Sequence, residues 1–264
     1  MQPAQRFRVW SFVLLVTLVG LAISTLGTSP RVSLSASPKR TPTPTAGPTP
    51  QPTPTPAPPS FGGRRSVGYF VQWGIYRRNY LVKNIVTSGS ATKLTHINYA
   101  FPDISDTLAC ASGDTFADYD KAFDASESVD GVADPTTAGT LRGNFNQLRK
   151  PKLMYPHLKV VISIGGWTWS DKFSDAALPA NRAAFVSSCI DMYIKGNFAP
   201  GIVDPTVFDG IDIDWEYPGV CGSTCNYRPE DTQNFTAILR TLTSRSIGKK
   251  IASWKKRSLD LSPF

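Results

Sequence analysis

Histidine is nearly missing from this sequence. His96 and His157 are the two it has, each beside an apolar strand pattern and far from the cysteine pair Cys221 and Cys225. That distribution speaks against a histidine–cysteine zinc site. The acid-rich run later in the chain lacks the glycine with which a calcium loop makes its sharp turn. No glycine-rich phosphate loop follows the first strand pattern, which argues against a nucleotide-binding, doubly wound sheet. A basic face is missing too. The net charge is +8, yet residues 1–60 hold five Lys or Arg and no acid, and residues 249–264 hold five against Asp260, leaving 18 basic and 19 acidic residues between 61 and 248. Phosphate binding needs its positive charge on the folded module, so nucleic acid is excluded as a partner.

Cysteine is scarce but even in number. Cys110, Cys189, Cys221 and Cys225 allow two disulfides in three pairings. Cys221 with Cys225, closing CGSTC, is the expected pair, while Cys189, at helical spacing with Phe185 and Met192, reads as core. No cysteine stands directly after the apolar run 9–27, which speaks against a lipoprotein. That run follows Arg6 and Arg8 and carries Ala22 and Ser24 at signal-peptidase spacing, so residues 1–27 read as a signal peptide, with a retained membrane anchor as the alternative. Residues 28–60, rich in Pro and Thr, cannot bury a core and read as a disordered linker. The expectation is a secreted or tethered protein whose membrane contact, if any, runs through the N-terminal segment alone.

What is present from residue 61 onward is an alternation. Strand patterns lie at 66–72 (SVGYFVQ), 94–101 (LTHINYAF), 159–164 (KVVISI) and 208–218. Helical patterns lie at 81–87, 141–150 and 179–195, and a last one starts near 229–231 with Phe235, Ile238, Leu239 and Leu242 at helical spacing. A polar, Asp-rich insertion separates the second strand from its helix and ends near Asp134. Near-continuous apolar strands alternating with helices argue for a parallel α/β architecture. The aromatic and glycine residues that cluster at the strands' C-terminal ends favour a barrel over an open sheet.

The run FDGIDIDWEYP places Asp209, Asp212, Asp214 and Glu216 in a β-branched strand pattern. Side chains alternate faces along a strand, so Asp212, Asp214 and Glu216 share one face and Ile211, Ile213 and Trp215 the other. In a barrel covered by helices both faces are enclosed, and crowded carboxylates cannot all ionise. A carboxyl kept protonated in this way can serve as a general acid. A solvated edge strand and a divalent-metal site are the alternatives. No metal and no cofactor is expected. Asp209 has the opposite parity and reads as structural.

DGIDIDWEYP resembles the D-x-x-D-x-D-x-E signature of the family 18 glycoside hydrolases, the chitinases and their relatives. SIGGW at 163–167 resembles that family's third strand, GYFVQW from Gly68 its first and NYAF from Asn98 its second. The resemblance spans about 61–244 and implies a (β/α)8 TIM barrel that hydrolyses β-1,4-linked N-acetylglucosamine polymers. It implies Glu216 as the proton donor to the glycosidic oxygen. Asp214 would orient the 2-acetamido group, whose carbonyl oxygen attacks the anomeric carbon, and Asp212 would share a proton or hydrogen bond with Asp214. This is the substrate-assisted retaining scheme. Tyr69, Trp73, Phe101, Trp167 and Tyr217 could line a saccharide cleft by stacking on sugar faces. Gly165 and Gly166 would permit close packing beneath the substrate, Ser163 reads as structural, and Tyr99 and Trp169 read as core.

The expected partner is chitin or a chitooligosaccharide, and the expected state a monomer. A noncatalytic chitin-binding protein, an endo-β-N-acetylglucosaminidase and a peptidoglycan hydrolase are the alternatives. Four β/α units are recognisable where the family has eight. The family's later Met-x-Tyr-type motif and last-strand tryptophan have no counterpart, and residues 249–264 form an atypical basic tail. The expectation is a catalytic domain over 61–248 truncated after its fourth unit, with open sheet edges that impair activity.

Overall fold

The computed structural model describes residues 61–245; the N-terminal segment and linker assigned to 1–60 and the tail assigned to 249–264 lie outside the described residues. In chain order the described elements are β1 (Val67–Val71), α1 (Val82–Thr87), β2 (His96–Ala100), β3 (Asp103–Ile104), β4 (Cys110–Ala111), α2 (Gly143–Met154), β5 (Lys159–Gly165), α3 (Phe173–Ala176), α4 (Arg182–Cys189), β6 (Asn197–Ala199), β7 (Ile202–Val203), β8 (Gly210–Asp214) and α5 (Asp231–Arg245). Four strands make one parallel sheet in the order β1-β2-β5-β8. Strand order follows chain order without reversal, which is the winding of a barrel wall and not of a doubly wound sheet.

One face of this sheet is apolar. Phe70, Ile97, Tyr99, Val160, Ile162, Ile164, Ile211 and Ile213 are buried and belong to one core cluster with Phe145, Leu148, Phe185, Ile238 and Leu242 from the helices. Tyr99 stacks on Phe70 and meets Phe145 edge-on at 5.4 Å, and Phe145 meets Phe208 at 5.0 Å. Such aromatic pairs add about 0.5–1.5 kcal/mol each beyond the area they bury. In α5, Asn234, Ile238 and Leu242 are buried at intervals of one turn, while Asp231 opens the helix and Arg245 closes it, each charge set favourably against the helix dipole. The strands' other side chains, among them Tyr69, Asn98, Ser163, Asp212 and Asp214, point to the opposite, more polar face.

The Asp-rich insertion is more ordered than its polar composition suggests. It contains the β3–β4 ribbon, and its remaining polar groups are paired with the polar side of α2. Gln147 Oε1 accepts from the Val129 amide at 2.9 Å, and Asp134 Oδ1 accepts from Asn146 at 2.7 Å and Gln147 at 2.6 Å. Asp118 is fully buried and accepts at 2.5 Å from Tyr99 Oη and at 2.5 Å from Ser112 Oγ; burial pushes its pKa up to about 7. Cys189 joins core and disulfide in one residue. It lies in the core as expected, but it is disulfide-bonded to Cys110 across a separation of 79 residues, alongside the expected Cys221–Cys225 bridge. The long-range bridge ties the insertion to α4.

Closing a loop of that length removes much of the unfolded chain's freedom. The Cys110→Ser/Cys189→Ser double variant is expected to lose about 2–4 kcal/mol of stability, read as a lower urea midpoint.

Candidate active site

The register between β5 and β8 pairs Ser163 with Asp212 and Gly165 with Asp214, while that between β1 and β2 pairs Tyr69 with Asn98. Four neighbouring strands thereby converge on one carboxyl oxygen. Asp212 Oδ2 accepts from Ser163 Oγ at 2.8 Å, Asn98 Nδ2 at 3.1 Å and Tyr69 Oη at 3.3 Å. Burial raises the Asp212 pKa, and the hydrogen bonds from Ser163 and Tyr69 offset only part of that rise. These three donors hold Asp212 beside Asp214, on whose carboxyl its charge acts. Ser163 is therefore not merely structural, and Asn98 is a site residue that sequence reasoning did not single out.

Asp214 ends β8, and its pKa is pushed up to about 6, first by burial, then by the charges of Glu216 and Asp212. Electrostatic crowding thus falls on the middle carboxyl of the row. The expected strand 208–218 is shorter than its pattern. Glu216 lies beyond the strand's end, past the buried Trp215, which stacks on Phe173 at 5.3 Å. Its backbone amide donates to Ser170 Oγ at 2.9 Å, and that hydroxyl lies 2.8 Å from the Gly166 carbonyl and 3.1 Å from that of Asp214. The peptide bonds Ala100–Phe101 and Glu216–Tyr217 are cis.

Aromatic rings surround the row. Phe101 lies 6.3 Å from Tyr69 and 6.2 Å from Trp73, and Tyr69, Trp73, Trp167 and Tyr217 are all about half exposed, between 44% and 56%. Large aromatics held in water at the edge of a polar cleft can offer their faces to a ligand. Gly165 and Gly166 have φ of +103° and +71°, a region closed to most residues. Their close contacts are with the protein. A Cβ at Gly166 would come within 2.7 Å of the Phe101 ring, and one at Gly165 within 2.5 Å of Phe173 and 2.7 Å of the Asp214 carbonyl oxygen. Gly166 lets Phe101 pack down on the end of β5, and Gly165 lets Phe173 and the end of β8 do so.

Tyr99 is core as expected, and half-buried Trp169 packs over Gly113. Asp209 sits at the far end of β8, where its Oδ2 accepts from the Val160 amide at 2.9 Å and pairs with Lys152 at 2.8 Å. A cavity of about 560 Å³ lies at that far end, lined by Lys152, Lys159, Phe208 and Asp209 among others, and one of about 390 Å³ lies along β1 beside Tyr69 and Tyr80. The carboxylate row lines neither. The site is assigned by its chemistry, a row of crowded carboxyls with raised pKa at the C-terminal end of the sheet.

The raised pKa of Asp214 has a consequence for stability. The unfolded chain releases this proton near 3.8 and the folded chain near 6, so the contribution of the protonated carboxyl is complete below pH 3.8 and is lost as pH rises through 6. A shift of that size corresponds to about 3 kcal/mol, which solvent screening at a half-exposed group reduces to about 1 kcal/mol. Asp214→Asn is expected to be more stable than the parent by about 1 kcal/mol at pH 8. The gap should close toward pH 4, as read by urea unfolding across that range.

Comparison with known proteins places these residues in a family. The model of the glycosyl hydrolases family 18 matches residues 65–262. Chitinase C of Streptomyces lividans is 55% identical over 168 residues, covering 64% of this chain and 26% of that protein. Chitinase A1 of Niallia circulans is 36% identical over 230 residues, covering 75% of this chain and 30% of that protein. The solved catalytic domain of psychrophilic chitinase B from Arthrobacter TAD20 superposes with a TM-score of 0.66 at 43% identity, over 70% of this chain and 48% of that one. This chain therefore spans under a third of the length of those two curated relatives and about half of the solved catalytic domain. The chain belongs to family 18 of the glycosyl hydrolases.

Proposed function

We propose that this chain hydrolyses the β-1,4 links of chitin or chitooligosaccharides, with its four parallel strands forming the first half of a (β/α)8 wall. The single observation that carries the reading is the row Asp212–Asp214–Glu216 at the C-terminal end of β8, in which the middle carboxyl is pushed up to about 6 by burial and by its two acidic neighbours. A site that only binds sugar has no need of crowded, proton-holding carboxyls. The polymer is inferred from the relatives, whose names are those of chitinases.

In this reading Glu216 gives its proton to the glycosidic oxygen while the C1–O bond breaks. The substrate's acetamido carbonyl oxygen forms a bond to C1, giving an oxazolinium that Asp214 holds through the acetamido N–H. Water then adds to C1 as the C1–oxazolinium oxygen bond breaks and the acetamide is regenerated, and Glu216 recovers a proton from the water, so configuration is retained and no enzyme nucleophile is consumed. Asp212, fixed by Tyr69, Asn98 and Ser163, keeps Asp214 beside a second negative charge. Tyr69, Trp73, Phe101, Trp167 and Tyr217 supply stacking faces along the groove.

The same reading has the enzyme exported as a monomer, with residues 1–27 as signal or anchor and 28–60 as spacer. Two disulfides and no free cysteine fit an oxidising compartment.

A chromogenic chitotriose substrate tests it. The full chain, impaired by its open sheet edges, is expected to release chromophore slowly, and Glu216→Gln to lower that kcat by about 10²-fold or more with the fold intact by circular dichroism. A folded parent chain with no turnover on chitotriose or colloidal chitin overturns the reading.

A further inference from the structure

The backbone of Glu216 is met on two sides, by a hydrogen bond at its amide and by a close approach of the chain at its carbonyl. On the amide side stands Ser170, 5% exposed, whose Oγ accepts the Glu216 N–H and is itself fixed against the carbonyls of Gly166 and Asp214. On the carbonyl side stands Gly222. A Cβ built there would overlap the Glu216 carbonyl oxygen and also approach Tyr217 N within 3.3 Å, so only glycine fits without displacement. Gly222 lies inside the small ring closed by Cys221 and Cys225, across which its amide donates to the Thr224 carbonyl at 3.0 Å. Just past the ring, Asn226 Nδ2 donates to the Asp171 carbonyl at 2.7 Å and to Asp175 Oδ2 at 2.9 Å, and Arg228 pairs with Asp175 at 2.6 Å.

We propose that Ser170 and the Cys221–Cys225 loop are positioning elements for Glu216, clamping its peptide units so that the carboxyl is delivered at a fixed height above Asp214. The proposal rests on the reading of Glu216 as the proton donor. Four facts carry it. Both partners converge on one residue, and that residue lies past the end of β8, where no ladder bond holds it. The loop is mostly exposed and belongs to neither core cluster, so it adds little to global packing. A bridge spanning a sequence separation of 4 removes little freedom from the unfolded chain, so what it supplies is local rigidity. A displacement of about 1 Å at a reacting group is enough to cost about 10²-fold in rate, which makes such rigidity matter for chemistry.

The test uses the full chain and two readouts. The sequence has three glutamates, Glu127, Glu216 and Glu230, so carboxyl-¹³C-labelled glutamate gives three titrating signals, of which the one lost in Glu216→Gln belongs to Glu216. Gly222→Ala and Ser170→Ala are expected to move the Glu216 signal and its titration midpoint while leaving those of Glu127 and Glu230 in place. Both should lower kcat by about tenfold or more, with KM changed less than about twofold. Ser170→Thr, which keeps the hydroxyl, should retain most of the parent kcat. Cys221→Ser/Cys225→Ser should move the Glu216 signal in the same direction as Gly222→Ala. If the Glu216 titration in folded Gly222→Ala and Ser170→Ala overlays that of the parent, the clamp is overturned, whatever the turnover. A parent chain without turnover removes the catalytic reading alone, since the carboxyl titration still decides whether the clamp exists. Gly222→Ala sits in an exposed loop and keeps the test open should Ser170→Ala fail to fold.

Discussion

The pairing of β5 with β8 is the constraint on which the site depends. Its register sets Ser163 against Asp212 and Gly165 against Asp214, and because side chains alternate, a slip of one residue would turn both aspartates toward the helices. There they would replace Ile211 and Ile213 against Ile162, Ile164 and the helix core, and ionised carboxyls buried without partners are costly. The apolar face thus enforces the geometry of the acidic one. Packing of isoleucines and valines behind the sheet fixes which oxygens meet in front of it, and the three donors on Asp212 come from three other strands only because all four are held in step.

How much of this was legible in the sequence depends on the range over which each feature is encoded. The period-2 pattern of FDGIDIDWEYP placed Asp212 and Asp214 on a common face correctly, since alternation is local. The four strands and the helices between them were found from the same kind of local signal, with boundaries off by a few residues. Ser163 and Asn98 were not seen as partners of Asp212, because register between strands far apart in sequence is not written in either strand. SIGGW and NYAF show a serine and an asparagine but not where they meet. Ser170 and Gly222 were missed for the same reason, since their common target is a backbone amide and carbonyl with no sequence signature. The order within the polar insertion was not legible, because the partners of Asp134, Ser128 and Asp118 are Asn146, Gln147 and Tyr99, which lie elsewhere in the chain. Cys189 looked like core because it is core; its bond to Cys110 needed the fold.

Two acidic groups show why a perturbed pKa alone does not define a site. Asp118 is raised to about 7 and Asp214 to about 6, and burial is the largest cause of both. Asp118 is sealed, its oxygens taken by Tyr99 and Ser112, and it lies on the helix side of the sheet where no ligand reaches it. Its proton answers to packing. Asp214 is only partly buried, its second cause is the charge of Glu216 and its third that of Asp212, and the half-exposed Tyr69 bonds to the neighbouring Asp212. Its proton answers to burial first and then to the two neighbouring carboxyls, so a ligand that changes their charge or the site's solvation changes its own. Groups coupled in this way share macroscopic titrations, and a proton can pass among them as a reaction proceeds. A buried, self-satisfied acid stabilises a fold in one protonation state, whereas a partly open row of acids holds several states close in energy. General acid–base chemistry requires the second arrangement, and in this chain it occurs where the parallel strands end and the exposed tryptophans and tyrosines begin.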